Sequence, residues 1–303
     1  MDNKLISVLG TTASGKTQLA VNLAAIIGGE IISADSRQVY RGMDIGSGKD
    51  LAEYEVNGLK IPYHLIDVVD AGYEYNVYEY QKDFFTAYEL IAQHQNIPIL
   101  CGGTGMYIES ILKGYQLMKV PRDEALRIRL EKKTDEELKK MVIESRTPHN
   151  TSDLDDKSRS IRALEIDAYY REHPELLKEV PKIKSINFGI RFERNEIRNR
   201  ITQRLDSRLQ IGLIEEVTQL LNSGLEPEKL MFYGLEYRLV TQYITGQIDY
   251  NTMFSELNTA IHQFAKRQET WWRKMEKSGT KILWIDGKID LNDKLTFMIS
   301  KLR

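Results

Sequence analysis

Gly10-Thr11-Thr12-Ala13-Ser14-Gly15-Lys16-Thr17 has the residue types and spacing of a phosphate-binding loop. Glycines at its two turns permit a tight path, so backbone N–H groups and the N-terminus of a following helix can face one anion. Lys16 adds a point charge for terminal phosphates, and the Thr17 hydroxyl suits a Mg²⁺ ion. The loop specifies a polyphosphate, and a pyrophosphate group fits it as well as a nucleoside triphosphate does. A nucleotide-hydrolysing site also needs an acid at a strand end to orient the metal. Asp35, after Ile31-Ile32-Ser33-Ala34, and Asp67, after His64-Leu65-Ile66, are candidates. A second glycine turn, Gly102-Gly103-Thr104-Gly105, carries a hydroxyl but no acid.

A sheet must bring these residues together. Leu5–Leu9, Glu30–Ala34, Tyr63–Val68 and Ile97–Cys101 read as short buried strands, with helices over Lys16–Ile27, Asn76–His94 and Met106–Leu112. This alternation predicts an α/β fold: a P-loop parallel sheet core with right-handed crossovers and helices on both faces. Ligands of such sheets sit beyond the carboxyl ends of the strands, so the phosphate loop, Asp35 and Thr104 are expected in one crevice. From Tyr115 to Lys184 charged helix formers dominate, in predicted helices over Arg122–Lys133, Asp135–Ser145 and Ser158–Arg171. Pro121, Pro148, Pro174 and Pro181 punctuate them. Residues 115–184 therefore read as a helical insertion into a core made of 1–114 and 185–303. That core resumes with a strand over Ile186–Phe192, helices over Glu193–Asn222, Gly234–Thr245 and Tyr250–Lys277, and a strand over Lys281–Ile285.

Hydrophobic residues at 42% can build a sizeable core, which excludes a disordered chain. A net charge of −2 means that any nucleic-acid contact must come from a local basic patch. The single cysteine, Cys101, excludes an intrachain disulfide framework and a multi-cysteine zinc site, and in a buried strand it is expected to be inert. The histidines show no metal-ligand spacing. No apolar run approaches the roughly 18 residues of a membrane span, and the N-terminus enters a strand with no room for a signal peptide. A cytoplasmic protein is expected.

Asp35-Ser36-Arg37-Gln38-Val39-Tyr40-Arg41-Gly42-Met43-Asp44-Ile45-Gly46 is too long for a generic turn. It closely resembles the D-S-M-Q-V-Y-x-G-M-D-I-G signature of the tRNA dimethylallyltransferases, also called tRNA isopentenyltransferases or the IPP transferase family. The phosphate loop resembles that family's G-P-T-A-S-G-K-T, and Gly102 to Ile108 resembles its G-G-T-G-L-Y-I. Arg159 to Glu165 resembles R-x-x-R-A-L-E, and Lys266 to Arg273 resembles K-R-Q-x-T-W-x-R. The matches keep family order from Gly10 to Arg273, and the chain is identified as a member in its short bacterial form, without a C-terminal zinc finger. It departs at Thr11 (usually proline), at Arg37 (usually methionine), at Ser47-Gly48-Lys49-Asp50 (usually T-A-K-P), and at Glu236, which takes a glycine position.

The resemblance implies transfer of a dimethylallyl group from dimethylallyl diphosphate to the N6 amine of the adenine 3′-adjacent to the anticodon. It implies the tRNA anticodon stem-loop as partner; Mg²⁺ is the expected cofactor, and a monomer with no membrane partner is expected. Gly10, Thr11, Thr12, Ala13, Ser14, Gly15, Lys16, Thr17 and Arg204 would hold the diphosphate, with Thr17 on the metal. Asp35 would be the base, and Thr104 a donor to the departing oxygens. Asp35, Ser36, Arg37, Gln38 and Thr104 would line the adenine pocket, Gln38 offering a donor–acceptor pair to a base edge and Tyr40 a stacking face. Arg127, Arg159 and Arg162 in the insertion, with Lys266 and Arg267, would take tRNA phosphates. Other readings stand beside these. They are a P-loop small-molecule or nucleotide kinase, a transferase acting on free adenylate, and a non-catalytic tRNA binder. Tyr40, Trp271 and Trp272 can be core residues, and Arg159 and Arg162 can simply pair with Asp153, Asp155, Asp156 or Glu165.

Overall fold

In the computed structural model, which describes residues 4–145, 154 and 156–302, the chain opens with β1 (Leu5–Gly10), α1 (Lys16–Ile27) and β2 (Gly29–Ala34). The short pieces β3 (Tyr40–Arg41), β4 (Glu55–Val56), β5 (Leu59–Lys60), β6 (Tyr63–His64) and β7 (Val69–Asp70) follow, then α2 (Val77–Gln93), β8 (Ile97–Gly102) and α3 (Gly105–Leu112). Next come α4 (Glu124–Glu131), α5 (Asp135–Ser145) and α6 (Lys157–Glu172). The chain ends through β9 (Ser185–Arg191), α7 (Arg194–Gln210), α8 (Leu213–Asn222), α9 (Pro227–Phe232), α10 (Leu235–Ile244), α11 (Tyr250–Lys277), β10 (Ile282–Asp286) and α12 (Leu291–Leu302).

Six strands form one parallel sheet in the order β10-β9-β1-β8-β2-β6. β1 and β2 are buried along their whole length, which is why they read as unbroken runs instead of an apolar–polar alternation. Alternate residues feed two cores. Ile6, Val8, Ile31 and Ile99 pack with Leu19 and Leu23 of α1 and with the C-terminal helices. Leu5, Leu9, Ile32 and Leu100 pack with Tyr80 and Phe84 of α2, Ile108 of α3 and Trp272 of α11. Polar residues inside the sheet pair across it: the Ser7 hydroxyl donates to Asn187 at 2.7 Å, and Asn187 donates to the Lys281 carbonyl at 3.0 Å.

Local chemistry sets the boundaries. Asn76 caps α2 in a reciprocal pair with Glu79. The strand expected over Tyr63–Val68 stops at His64, because Leu65 (φ 61°) and Asp67 (φ 55°) adopt left-handed backbone that a strand cannot continue. The single helix expected over Glu193–Asn222 is broken by Gly212 (φ 116°) into α7 and α8. α9 and α12 were not anticipated from the sequence. At the carboxyl edge, a side chain on Gly102 would place Cβ 2.2 Å from the Ala34 carbonyl oxygen. Glycine there lets the β8 turn lie directly against the end of β2. Among the described residues no helix is long and apolar enough to cross a membrane.

The chain forms two compact units, Met1–Gly114 with Lys182–Arg303, and Tyr115–Pro181. The second unit has its own apolar cluster of Leu130, Leu138, Val142, Ile161 and Leu164. Beside it lies a buried carboxylate, Glu165, gripped by Arg127 through two bonds of 2.9 and 3.0 Å, by Arg162, and by the Asp123 N–H at 2.6 Å. Arg162 also donates to the Val120 carbonyl. Two of the three insertion arginines expected on tRNA phosphates, Arg127 and Arg162, thus pair with a carboxylate of their own unit. Arg159 pairs with Asp156 and is half exposed. Asp153, Asp155 and Pro148 lie outside the described residues.

Burial alone would raise the Glu165 pKa, but the Arg127 and Arg162 bonds outweigh it and bring it from its ordinary 4.5 to about 2. Because the folded value lies below the unfolded one, this grip stabilises fully above about pH 4.5 and is lost as pH falls toward 2. The gap in thermal midpoint between wild type and Glu165→Gln, followed by circular dichroism, should therefore be widest near neutrality and close over that window. A gap unchanged at pH 2 would contradict the assignment.

Candidate active site

β1 delivers the chain into the phosphate loop at the carboxyl edge of the sheet, where Ala13 (φ 61°) and Gly15 (φ 76°) bend it into the first turn of α1. The Ser14 hydroxyl is buried there and finds no hydrogen-bond partner among the described residues. An anion held in the loop would supply one, as buried polar groups are generally paired. Lys16 rests on the Thr11 carbonyl at 3.3 Å. Burial pushes its ammonium below the ordinary lysine pKa and Arg204 pushes the same way, against Cys101, Asp35 and Glu53. The Thr17 hydroxyl lies against the Cys101 thiol, which burial pushes up to about 12, in keeping with an inert cysteine.

Asp35 follows the last residue of β2, and Thr104 follows the Gly102-Gly103 turn of β8. The two turns are tied together: the Thr104 N–H donates to the Ala34 carbonyl at 3.0 Å, and the Ser36 N–H donates to the Thr104 hydroxyl at 3.0 Å. The Thr104 proton reaches Ser36 Oγ at a long 3.4 Å, so it is free to serve a stronger acceptor. One Asp35 oxygen accepts the Arg37 N–H at 2.9 Å, which fixes the carboxylate. The other crevice charges come from α7 and the segment after β3. Arg200 donates from Nε to the Ala13 carbonyl at 2.9 Å and lies over the Phe192 ring. Arg204 is brought down to about 10 by burial and its neighbour Arg208, while Glu53 and Glu236 pull it back. Gln268 of α11 bonds both the phosphate loop and the Gly103 carbonyl.

A family model described as IPP transferase matches residues 38–275. The tRNA dimethylallyltransferase 2 of Bacteroides fragilis is 52% identical over 302 residues, covering 100% of this chain and 99% of that protein. The tRNA dimethylallyltransferase 1 of Parabacteroides distasonis is 51% identical, covering 96% and 95%. The chain belongs to the IPP transferase family. Among solved structures, the full-length tRNA isopentenylpyrophosphate transferase of Bacillus halodurans superposes with a TM-score of 0.72 at 29% identity, over 99% of this chain and 95% of that one. No comparison favours a kinase.

The family signature is largely a scaffold in this IPP transferase. Tyr40 is buried edge-on to Tyr233, and its hydroxyl accepts the Tyr75 N–H, so it is a core residue and offers no stacking face. The Gln38 carboxamide, expected at a base edge, is instead held by the Ser33 hydroxyl at 2.8 Å and the Gly48 carbonyl at 3.3 Å. Asp67 is drawn onto buried Lys49, which also bonds Asp44 and the Tyr40 carbonyl, so Asp67 serves this loop and not the phosphate loop. The Asp44-Ile45-Gly46 turn presents three N–H groups to Glu216, at 2.6 to 3.0 Å, and the Tyr237 hydroxyl joins them. Glu236, at the family's glycine position, is half-buried against Arg208 at 3.5 Å, with Arg208 and Arg204 packed over Gly48. Arg37 lies half-buried beside Gly234. Lys266 and Arg267 are exposed on α11.

Sequence reasoning missed Arg200, Glu53, Gln268 and Glu216 as parts of the site. Arg200 precedes Arg204 by four residues and so shares a helix face with it. Gln268 stood inside a quoted motif. Nothing local marked Glu53 or Glu216.

Proposed function

We propose that this chain transfers a dimethylallyl group from dimethylallyl diphosphate to the N6 amine of the adenine 3′-adjacent to the anticodon in tRNA, releasing diphosphate. The convergence of the phosphate loop with Asp35 and Thr104 at one sheet edge carries the reading, because it sets a diphosphate cradle beside a fixed carboxylate. The loop and Arg204 take the diphosphate, and Lys16 and Arg204 stabilise the charge that grows as the C–O bond breaks. The adenine amine is a weak nucleophile. As its nitrogen bonds the allylic carbon, Asp35 accepts its proton, and Thr104 donates to a departing diphosphate oxygen. The adenine must leave its stack to arrive there, and Ser36, Arg37 and the backbone at Gln38 border the place it enters.

The oxygen donors at this edge, the Thr17 hydroxyl and nearby carboxylates, suit Mg²⁺. Thr17 would hold the ion together with diphosphate oxygens, and its chemistry when bound is to neutralise leaving-group charge. With Arg127 and Arg162 occupied by Glu165, we assign tRNA phosphate contacts chiefly to exposed Arg159, Lys266 and Arg267. A cytoplasmic monomer fits this role. Incubation with labelled dimethylallyl diphosphate and unmodified tRNA should place label on one adenosine of the anticodon loop, with pyrophosphate released in equal amount. Label-free tRNA together with steady ATP turnover would support a kinase instead.

A further inference from the structure

Gln268 lies on the buried stripe of α11 with Ile261, Ala265 and Trp272. A carboxamide on such a stripe needs polar partners, and it finds them in the two loops that frame the crevice. Its Oε1 accepts the Thr12 N–H at 2.8 Å, and its Nε2 donates to the Gly103 carbonyl at 2.9 Å. A side chain on Gly103 would put Cβ 2.4 Å from that nitrogen, so glycine is what lets the amide reach the backbone. Thr12 directly precedes the turn at Ala13 and Ser14, and Gly103 directly precedes Thr104. One planar group therefore sets the spacing between the diphosphate cradle and the turn that carries Thr104 and braces Asp35.

We propose that Gln268 is a positioning residue for prenyl transfer, holding the phosphate loop in register with the Thr104–Asp35 side so that leaving group and base are presented together. It acts through the two loops, and it fixes which way the loop's following N–H groups face by occupying the N–H of Thr12. The proposal rests on the diphosphate reading of the loop. Misplacing reacting groups by about 1 Å costs on the order of 10²-fold in rate, which sets the scale of the effect.

Gln268→Glu is nearly isosteric and keeps an acceptor for Thr12. Ionised, it has no proton for Gly103 and turns an oxygen toward that carbonyl. Protonated, it regains the donor. Gln268→Met keeps the volume and loses both bonds. Single-turnover transfer, donor KM, pyrophosphate affinity, tRNA affinity and thermal midpoint would be measured for wild type and both variants across the near-neutral pH range. Near pH 8, Gln268→Glu should transfer about 10- to 100-fold more slowly than wild type with tRNA affinity within about twofold. That deficit, relative to wild type at each pH, should narrow as pH falls toward about 6, and Gln268→Met should show the loss without the recovery. Unchanged kcat and donor KM in Gln268→Glu would overturn the proposal. So would a loss that follows tRNA affinity or thermal midpoint, or a failure of this isosteric variant to fold, since each would make Gln268 a packing element. Wild type with no affinity for pyrophosphate would remove the underlying reading of the loop, an outcome distinct from indifferent variants.

Discussion

Asp35→Asn and Asp35→Ala are each expected to slow single-turnover prenyl transfer by about 10²–10⁴-fold, the range for a positioned general base. The asparagine variant is the more informative. Asp35 receives the Arg37 N–H on Oδ1, and an amide oxygen keeps that bond while losing the basicity. The Thr104 bonds to Ala34 and Ser36 involve backbone and hydroxyl groups that neither substitution removes. The pocket should therefore stay formed, with pyrophosphate and tRNA affinities near wild type. A rate loss under tenfold in both variants would exclude Asp35 as the proton acceptor.

Lys16→Ala should act on the other reactant. Lys16 is half-buried and its charge feels Asp35, Glu53 and Arg204, and removing it takes the loop's own cation from the diphosphate. Loss of one preorganised charge of this kind costs about 10²–10³ in rate. A rise in donor KM should accompany it, because the charge is present in the ground state too. tRNA binding should be unaffected. Pyrophosphate titration by calorimetry checks the first effect and filter binding the second. Normal pyrophosphate affinity in Lys16→Ala would mean that the loop does not hold the diphosphate.

The features legible in the sequence were those encoded locally. The phosphate loop needs glycines at fixed spacing next to a strand, and α11 shows its buried stripe as a helical period from Met253 to Met275. What the sequence hid depends on partners far along the chain. Nothing near Glu216 marks it as the acceptor for three N–H groups about 170 positions earlier. Gln268 bonds Thr12 across 256 positions. The same holds for Arg127 and Arg162, whose ion pairs with buried Glu165 are formed across 38 positions and within one turn of α6 respectively. Tyr40 and Gln38 belong to a signature whose spacing suggested contact with substrate, whereas much of that spacing serves the packing of its own loop. Left-handed backbone truncates β6 and splits α7 from α8; Leu65 and Asp67 carry no compositional mark of it, whereas Gly212 does.

The register of β1 has a bearing on how the chain is made. Leu5 pairs with Ser185, which follows the helical unit in the sequence, while the other edge of β1 pairs with β8. At about 5–20 residues per second, some ten to forty seconds of synthesis separate the two partners. During that interval β1, β2 and β8 can associate, but the nascent sheet keeps an unpaired apolar edge where β9 will dock, a surface prone to capture by other strands. Residues 115–181 emerge meanwhile with a core of their own and close on local contacts. The ribosome thus finishes residues 115–181 before the unit that holds the sheet, and completion of the sheet waits on the late arrival of β9 and then of α11.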